Sequence, residues 1–316
     1  MTGTRYLVHG VFWPPPPPPE AAAGGGVGPS PYLRLQAPDG TFREVTLDAG
    51  THLGFRLAAE GKHCLGHHVV HGPAHRDHVL CARRAPAVRG HQCERCFVVD
   101  DSRLIHDFHR GGRVPPGLRS YLMQPHWLYV ATFANGASKV GTAAELRKWQ
   151  RLAEQGAVAA SFVAHAADGR VVRILEDLVT REAGLPQQVR SAAKAAALAS
   201  PAPAGWLSGH NAAVAASARG VVSRSGAEGF EVVEESWSRP ELAGPLCSVS
   251  RRHPYPHALA AGSHGFTITS LCGSFALAAI DGTELEFVVD LGRLKGRNIE
   301  LGQYSSEVPA VQEALF

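Results

Sequence analysis

Four cysteines fall within 33 residues: Cys64, Cys81, Cys93 and Cys96. The last two form Cys93-Glu94-Arg95-Cys96, and a two-residue gap lets both thiolates reach one ion from a tight turn. Nine of the 17 histidines lie between His63 and His109, and Cys64 with His67 and His106 with His109 repeat the same gap. In a cytosolic protein such spacing favours zinc over disulfides. The segment is too polar to bury much core, so a bound metal would explain how it folds. One zinc held by Cys64, Cys81, Cys93 and Cys96 is the main expectation. A full thiolate shell leaves no open coordination position, so the centre would be structural. His106 and His109 could replace one ligand or, with His67, hold a second ion. The competing reading is a pair of incidental cysteines among solvated histidines. Cys247 and Cys272 stand alone in β-patterned sequence and read as buried apolar side chains.

A second group of chemically capable residues lies in LYVATFANGASKVGTAAELRKWQRLAEQGA, residues 128–157, which carries Tyr129, Lys139, Gly141 and Arg151. By pattern alone Tyr129 is core, Lys139 is a solvated strand residue, and Arg151 pairs with Glu154 or Glu176. Charge adds to the picture. Net charge is +3, but residues 61–200 hold 19 Lys+Arg against 11 Asp+Glu, while the flanks hold 12 against 17. A basic middle third suggests a polyanionic partner, because Lys and Arg neutralise phosphates and release counterions.

The elements that must position these residues are legible in outline. Trp127, Tyr129, Ala131 and Phe133 alternate onto one face of a strand, and Asn135-Gly136 supplies a hairpin turn. A helix from about Ala143 to Gln155 would bury Leu146, Trp149, Leu152 and Ala153, with Gly156 as its stop. Residues 157–167 read as a third strand closed by Asp168-Gly169. The next helix shows Val171, Ile174, Leu175, Leu178 and Val179 on one face. Residues 205–235 carry a weak signal, a helix or linker. Toward the N-terminus, residues 5–13 form a strand, the Pro/Gly stretch 14–31 a mobile loop, and residues 32–47 a hairpin around Asp39-Gly40. Residues 265–302 return to strand pairs with Gly and Asp-Gly turns.

The fold expected is α+β. A β-hairpin/α/β/α module at 121–200 follows a zinc-binding segment at 61–120. The N-terminal unit, 1–60, and the C-terminal part, 201–316, combine their strands into a small β-barrel. No apolar run reaches the ~18 to 20 residues of a membrane helix, and the first 13 residues do not read as a signal peptide, so the expected compartment is the cytoplasm. There is no Walker A loop, dinucleotide fingerprint or Ser-His-Asp signature.

The Cys-rich segment followed by MQPHWLYVATFANGASKVGTAAELRKWQRLAEQGA resembles a bacterial family known as domain of unknown function 2797. LPQQVRSAAKAAAL (185–198), HPYPHALAAGSHG and FVVDLGRLKGRNIELG extend the likeness over most of the chain. The central module in turn resembles the GIY-YIG nuclease superfamily. That resemblance implies a phosphodiester site, with Tyr129 ending the first motif and Lys139 replacing the second motif's Tyr. Arg151 would be the helix arginine, with Arg147 on the same face, and Glu176, on the polar side of its helix, would bind Mg²⁺ or Mn²⁺. The family's later Asn has no clear counterpart, although Gln187 and Lys194 lie near its place. Arg151 would offset phosphate charge bidentately. Tyr129, helped by Lys139 or His126, would orient or deprotonate the attacking water. Arg147, Lys148 and Lys194 would hold the nucleic acid, DNA or RNA. A metal-dependent endonuclease or phosphodiesterase is therefore expected. The alternatives are a non-catalytic nucleic-acid binder on the same scaffold, or one recruited for small-molecule chemistry.

Overall fold

The computed structural model describes residues 3–16, 30–106 and 108–307, so most of the expected Pro/Gly loop lies outside the described residues. The chain opens with strands β1 (Arg5–Phe12), β2 (Tyr32–Gln36), β3 (Phe42–Thr46) and β4 (His52–Leu57). A ribbon of β5 (His67–Val70) and β6 (Arg76–Val79) follows, then helices α1 (Glu94–Val98) and α2 (Pro116–Leu122). The next stretch runs β7 (His126–Thr132), β8 (Ser138–Ala144), α3 (Lys148–Gln155), β9 (Ala159–Ala166) and α4 (Gly169–Ala183). Helices α5 (Ser191–Ala199) and α6 (Ala204–Ser223) lead to β10 (Phe230–Ser236). The chain then closes with β11 (His253–Pro254), β12 (Ser263–Cys272), β13 (Phe275–Ala279), β14 (Glu286–Asp290) and β15 (Asn298–Leu301). No helix among the described residues is long and apolar enough to cross a membrane.

The two ends of the chain do combine, but not as a barrel. They form an open nine-stranded sheet in the order β11-β14-β13-β12-β4-β15-β1-β2-β3. The edge strands explain why it stays open. β11 is two residues long and ends in Pro254, which has no N–H to offer a further strand. β3 is exposed at most positions. β14 and β15, though consecutive, do not pair with each other: β15 sits between β1 and β4.

A second sheet, β10-β9-β7-β8, packs against the first. Alternation along β7 sends Tyr129 and Ala131 into the core shared with Phe55, Phe266 and Phe287, and Leu128 and Val130 into a second core with α4 and α6. The expected hairpin is present, with Tyr129 opposite Gly141. Its helix starts later than expected. Ala143 and Ala144 finish β8, a 3-10 turn covers Glu145–Arg147, and Leu146 is 61% exposed. The face of α4 is also rotated from the expectation: Val172, Leu175, Glu176 and Val179 are buried while Ile174 is exposed. The weak stretch after residue 200 holds the 20-residue helix α6 and a fourth strand of the central sheet.

Candidate functional site

The four cysteines meet as the spacing requires. Their Sγ atoms all lie within 4.8 Å of one another, and Cys64, Cys81 and Cys96 are buried. Four thiolates at Zn–S distances of about 2.3 Å lie about 3.8 Å apart, so the cluster fits a tetrahedral ion such as zinc with little closure. Cys93 caps the N-terminus of α1 and Cys96 lies within that helix, which gives the two-residue gap its geometry. Cys64 precedes a tight turn in which Gly66 adopts φ +100°, and a Cβ there would stand 2.0 Å from the Val79 carbonyl oxygen. The Gly66 N–H donates to Cys64 Sγ at 3.4 Å. Burial raises the Cys64 thiol. Burial and then its neighbouring thiols push Cys96 well up. At Cys81 burial is outweighed by the N–H groups of Ala85 and Arg83, which bring it down to about 7. Thiols crowded this closely become thiolates together only with a cation among them.

Among the described residues only these four cysteines form such a group. His67 and His109 stand outside it, and the side chain of His106 lies outside what is described. His109 Nε2 lies 3.2 Å from an Asp177 carboxylate oxygen on α4. Cys247 and Cys272 are buried as expected but not alone, with their Sγ atoms 3.8 Å apart.

The second site is a cleft of about 310 Å³ to which five elements contribute. Tyr129 comes from β7, Lys139 from β8, Arg151 and Gln155 from α3, Arg173 and Glu176 from α4, and Lys194 from α5. Gln187 lines it too, from a segment tied to β8 by the bond from Val140 N–H to the Pro186 carbonyl, 3.0 Å. The Tyr129 ring lies across Gly141, where a Cβ would sit 2.5 Å from its hydroxyl oxygen. Gln155 Nε2 donates to that hydroxyl at 2.8 Å.

The charges around the cleft are unbalanced. Lys139, Arg151, Arg173 and Lys194 face one carboxylate, Glu176. Arg173 holds Glu176 at 2.5 Å, and Arg147 holds Glu154 at 2.6 Å. The two carboxylates proposed for Arg151 are thus taken by other arginines, and Arg151 ion-pairs with no carboxylate among the described residues. Lys139 Nζ donates to the Gln187 carbonyl at 3.3 Å, and Lys194 Nζ to the Gln155 carbonyl at 2.9 Å. Burial, and then Arg151 and Lys194, bring Lys139 down to about 8. Burial brings Lys194 to about 8 as well. Burial raises the Tyr129 hydroxyl above its usual range against the pull of Arg151. Near neutral pH it is therefore a hydrogen-bond donor, not a base. Glu176, expected on the polar side of its helix, is 3% exposed.

An adjoining cleft of about 250 Å³ shares Thr142, Arg151 and Arg173 with the first. His126 and Arg147 open here, beside Arg76 and Tyr121. His126 Nδ1 lies 2.8 Å from the Gln124 carbonyl, and burial lowers its pKa, so it stays neutral and does not serve the Tyr129 cleft directly. Lys148 is elsewhere: it bridges Glu235 at 2.6 Å and covers the Trp127 ring at 3.3 Å. Sequence reasoning missed Arg76, Gln155 and Arg173. Arg173 sits one turn before Glu176 and was findable by that spacing, whereas Arg76 reaches the site only through the tertiary fold.

Fold and sites together describe an α+β protein with a four-cysteine cluster of metal-binding geometry and a cationic cleft. Residues 83–196 match the family described as Protein of unknown function (DUF2797). The match holds Cys93, Cys96 and the cleft residues from Tyr129 to Lys194. Neither curated proteins nor solved structures offer a match to the chain.

Proposed function

We propose that the Tyr129 cleft binds a phosphodiester group of a nucleic acid, on a scaffold whose segment 61–120 is held by a structural zinc. The observation that carries this reading is the convergence of Lys139, Arg151 and Lys194, none ion-paired with a carboxylate among the described residues, beside the Tyr129 hydroxyl. Arg151 offers a fork of N–H donors matched to two phosphate oxygens. Tyr129 is fully buried, and its hydroxyl accepts from Gln155 beside Arg151. The lysines supply charge from a partly dry wall, where it acts more strongly than in water.

A cleavage reading is favoured by the order Tyr129, Lys139, Arg151, Glu176 along a GIY-YIG-like hairpin and helix pair, and by Lys139, whose pKa of about 8 suits proton transfer near neutral pH. A resident Mg²⁺ or Mn²⁺ does not fit the donor set as folded. Hard divalent ions need several oxygen ligands, and the one carboxylate of the cleft is engaged by Arg173 among further cations. No catalytic step is assigned to such an ion.

The test is fluorescence anisotropy with labelled single-stranded DNA and RNA across a salt series, using the zinc-loaded protein. Affinity should fall steeply with salt, and Arg151→Ala should weaken it about tenfold. Salt-insensitive binding, or none, sinks the proposal. Cleavage on adding Mg²⁺ or Mn²⁺ that Glu176→Ala abolishes would establish a nuclease; binding without cleavage would establish a non-catalytic binder.

A further inference from the structure

The adjoining cleft has a different character from the first. Its lining includes the arginines Arg76 and Arg147 and no acidic side chain. Arg76 is exposed and ion-pairs with no carboxylate among the described residues. Arg147 gives one terminal N–H to Glu154, while its buried Nε has no hydrogen-bond partner. The same lining includes the ring and aliphatic side chains of Tyr121, Ile105 and Leu122, with Tyr121 edge-on to His126 at 6.1 Å. A ligand matched to this lining carries an anionic group and a flat, weakly polar body. A nucleotide has both, since its phosphate meets arginine forks and its base has a π-face for aromatic side chains.

The two clefts also adjoin. Thr142, Arg151 and Arg173 line both, so one ligand lying over these side chains would reach the two clefts together. We infer that the adjoining cleft is a second nucleotide subsite, which takes the neighbouring residue of the strand whose phosphodiester occupies the Tyr129 cleft. This rests on the phosphodiester reading above and makes the ligand an oligonucleotide strand, not a mononucleotide. It also gives the cysteine segment a part in binding. Arg76 belongs to β6, whose ribbon leads five residues later into Cys81 of the metal centre. Arg76 is then the contact the metal-bound segment makes with the strand.

The test is calorimetric titration of the zinc-loaded protein with thymidine 5′-monophosphate and with the 5′-phosphorylated thymidine dinucleotide. The dinucleotide should bind about tenfold more tightly or better. Arg76→Ala should remove that gain and leave mononucleotide affinity within twofold. Arg76 is exposed, so an unchanged zinc content and melting temperature confirm that the variant is folded. Equal binding of the two ligands overturns the inference and leaves the phosphodiester reading standing. So does a loss from Arg76→Ala that is the same for both. Binding of neither ligand overturns both proposals at once.

Discussion

Raising the pH from 7 to 9 should release the phosphodiester. Lys139 and Lys194 each sit at about 8 in the free protein, down from 10.5. Lys139 faces Arg151 from α3, Arg173 and Glu176 from α4, Lys194 from α5 and Tyr129 from β7. A bound diester does not titrate here, and it holds both ammonium groups charged. Each free lysine is about nine-tenths protonated at pH 7 and about one-tenth at pH 9, so each lowers affinity about tenfold over that interval. The pair together gives about a hundredfold. Affinity is full below the free pKa and is lost as pH rises through 8 toward the higher pKa of the complex. Stability of the free protein runs the other way. Between about 8 and 10.5 the unfolded chain binds more protons at these lysines than the folded one, so their contribution to stability rises with pH. The assay is titration with a thymidine dinucleotide at half-unit pH steps and constant ionic strength. Lys139→Met should cut the change to about tenfold. A flat profile between pH 7 and 9, or one unaltered by both Lys139→Met and Lys194→Met, refutes the reasoning.

Purified protein should hold about one equivalent of zinc by elemental analysis, and Cys93→Ser should bring it below half. Stripping the metal with a chelator should abolish the extra affinity for the dinucleotide while mononucleotide binding persists; retention of both would disconnect the metal centre from the groove. Gly141→Ala, whose new Cβ meets the Tyr129 hydroxyl at 2.5 Å, should cost about 1–3 kcal/mol in denaturant unfolding. It should also weaken diester binding, and a variant as stable and as tight as the parent would show that the tyrosine need not lie across that glycine.

Local rules went furthest where a feature is made within a few residues. Asn135-Gly136 sets the hairpin register, and that places Tyr129 opposite Gly141. The gap between Cys93 and Cys96 announces the four-cysteine cluster before any tertiary contact is known. Helix faces were harder. Glu176 looks solvent-facing in a helical projection, yet Arg173 one turn away satisfies it and lets it be buried. Leu146 looks like core in a single continuous helix, but the 3-10 turn at Glu145–Arg147 changes the angle of the face. Helix α6 was faint because its buried positions include Asn211, Ala215 and Ala218, small or polar residues that leave little hydrophobic periodicity. Closure of the terminal strands into a barrel could not be told from an open sheet. Neighbouring pairs are alike in both, and only the edges β3 and β11 differ.

The place of β15 between β1 and β4 has a consequence for biosynthesis. Its two neighbours are complete by Leu57, roughly 240 residues before Asn298 begins the strand that joins them. While the ribosome makes the intervening chain, β1 and β4 each keep an unfilled hydrogen-bonding edge in the middle of the future sheet. Contacts so distant along the chain form slowly, and open edges invite pairing with other chains. Nascent chains stalled before residue 298 should therefore be prone to aggregate.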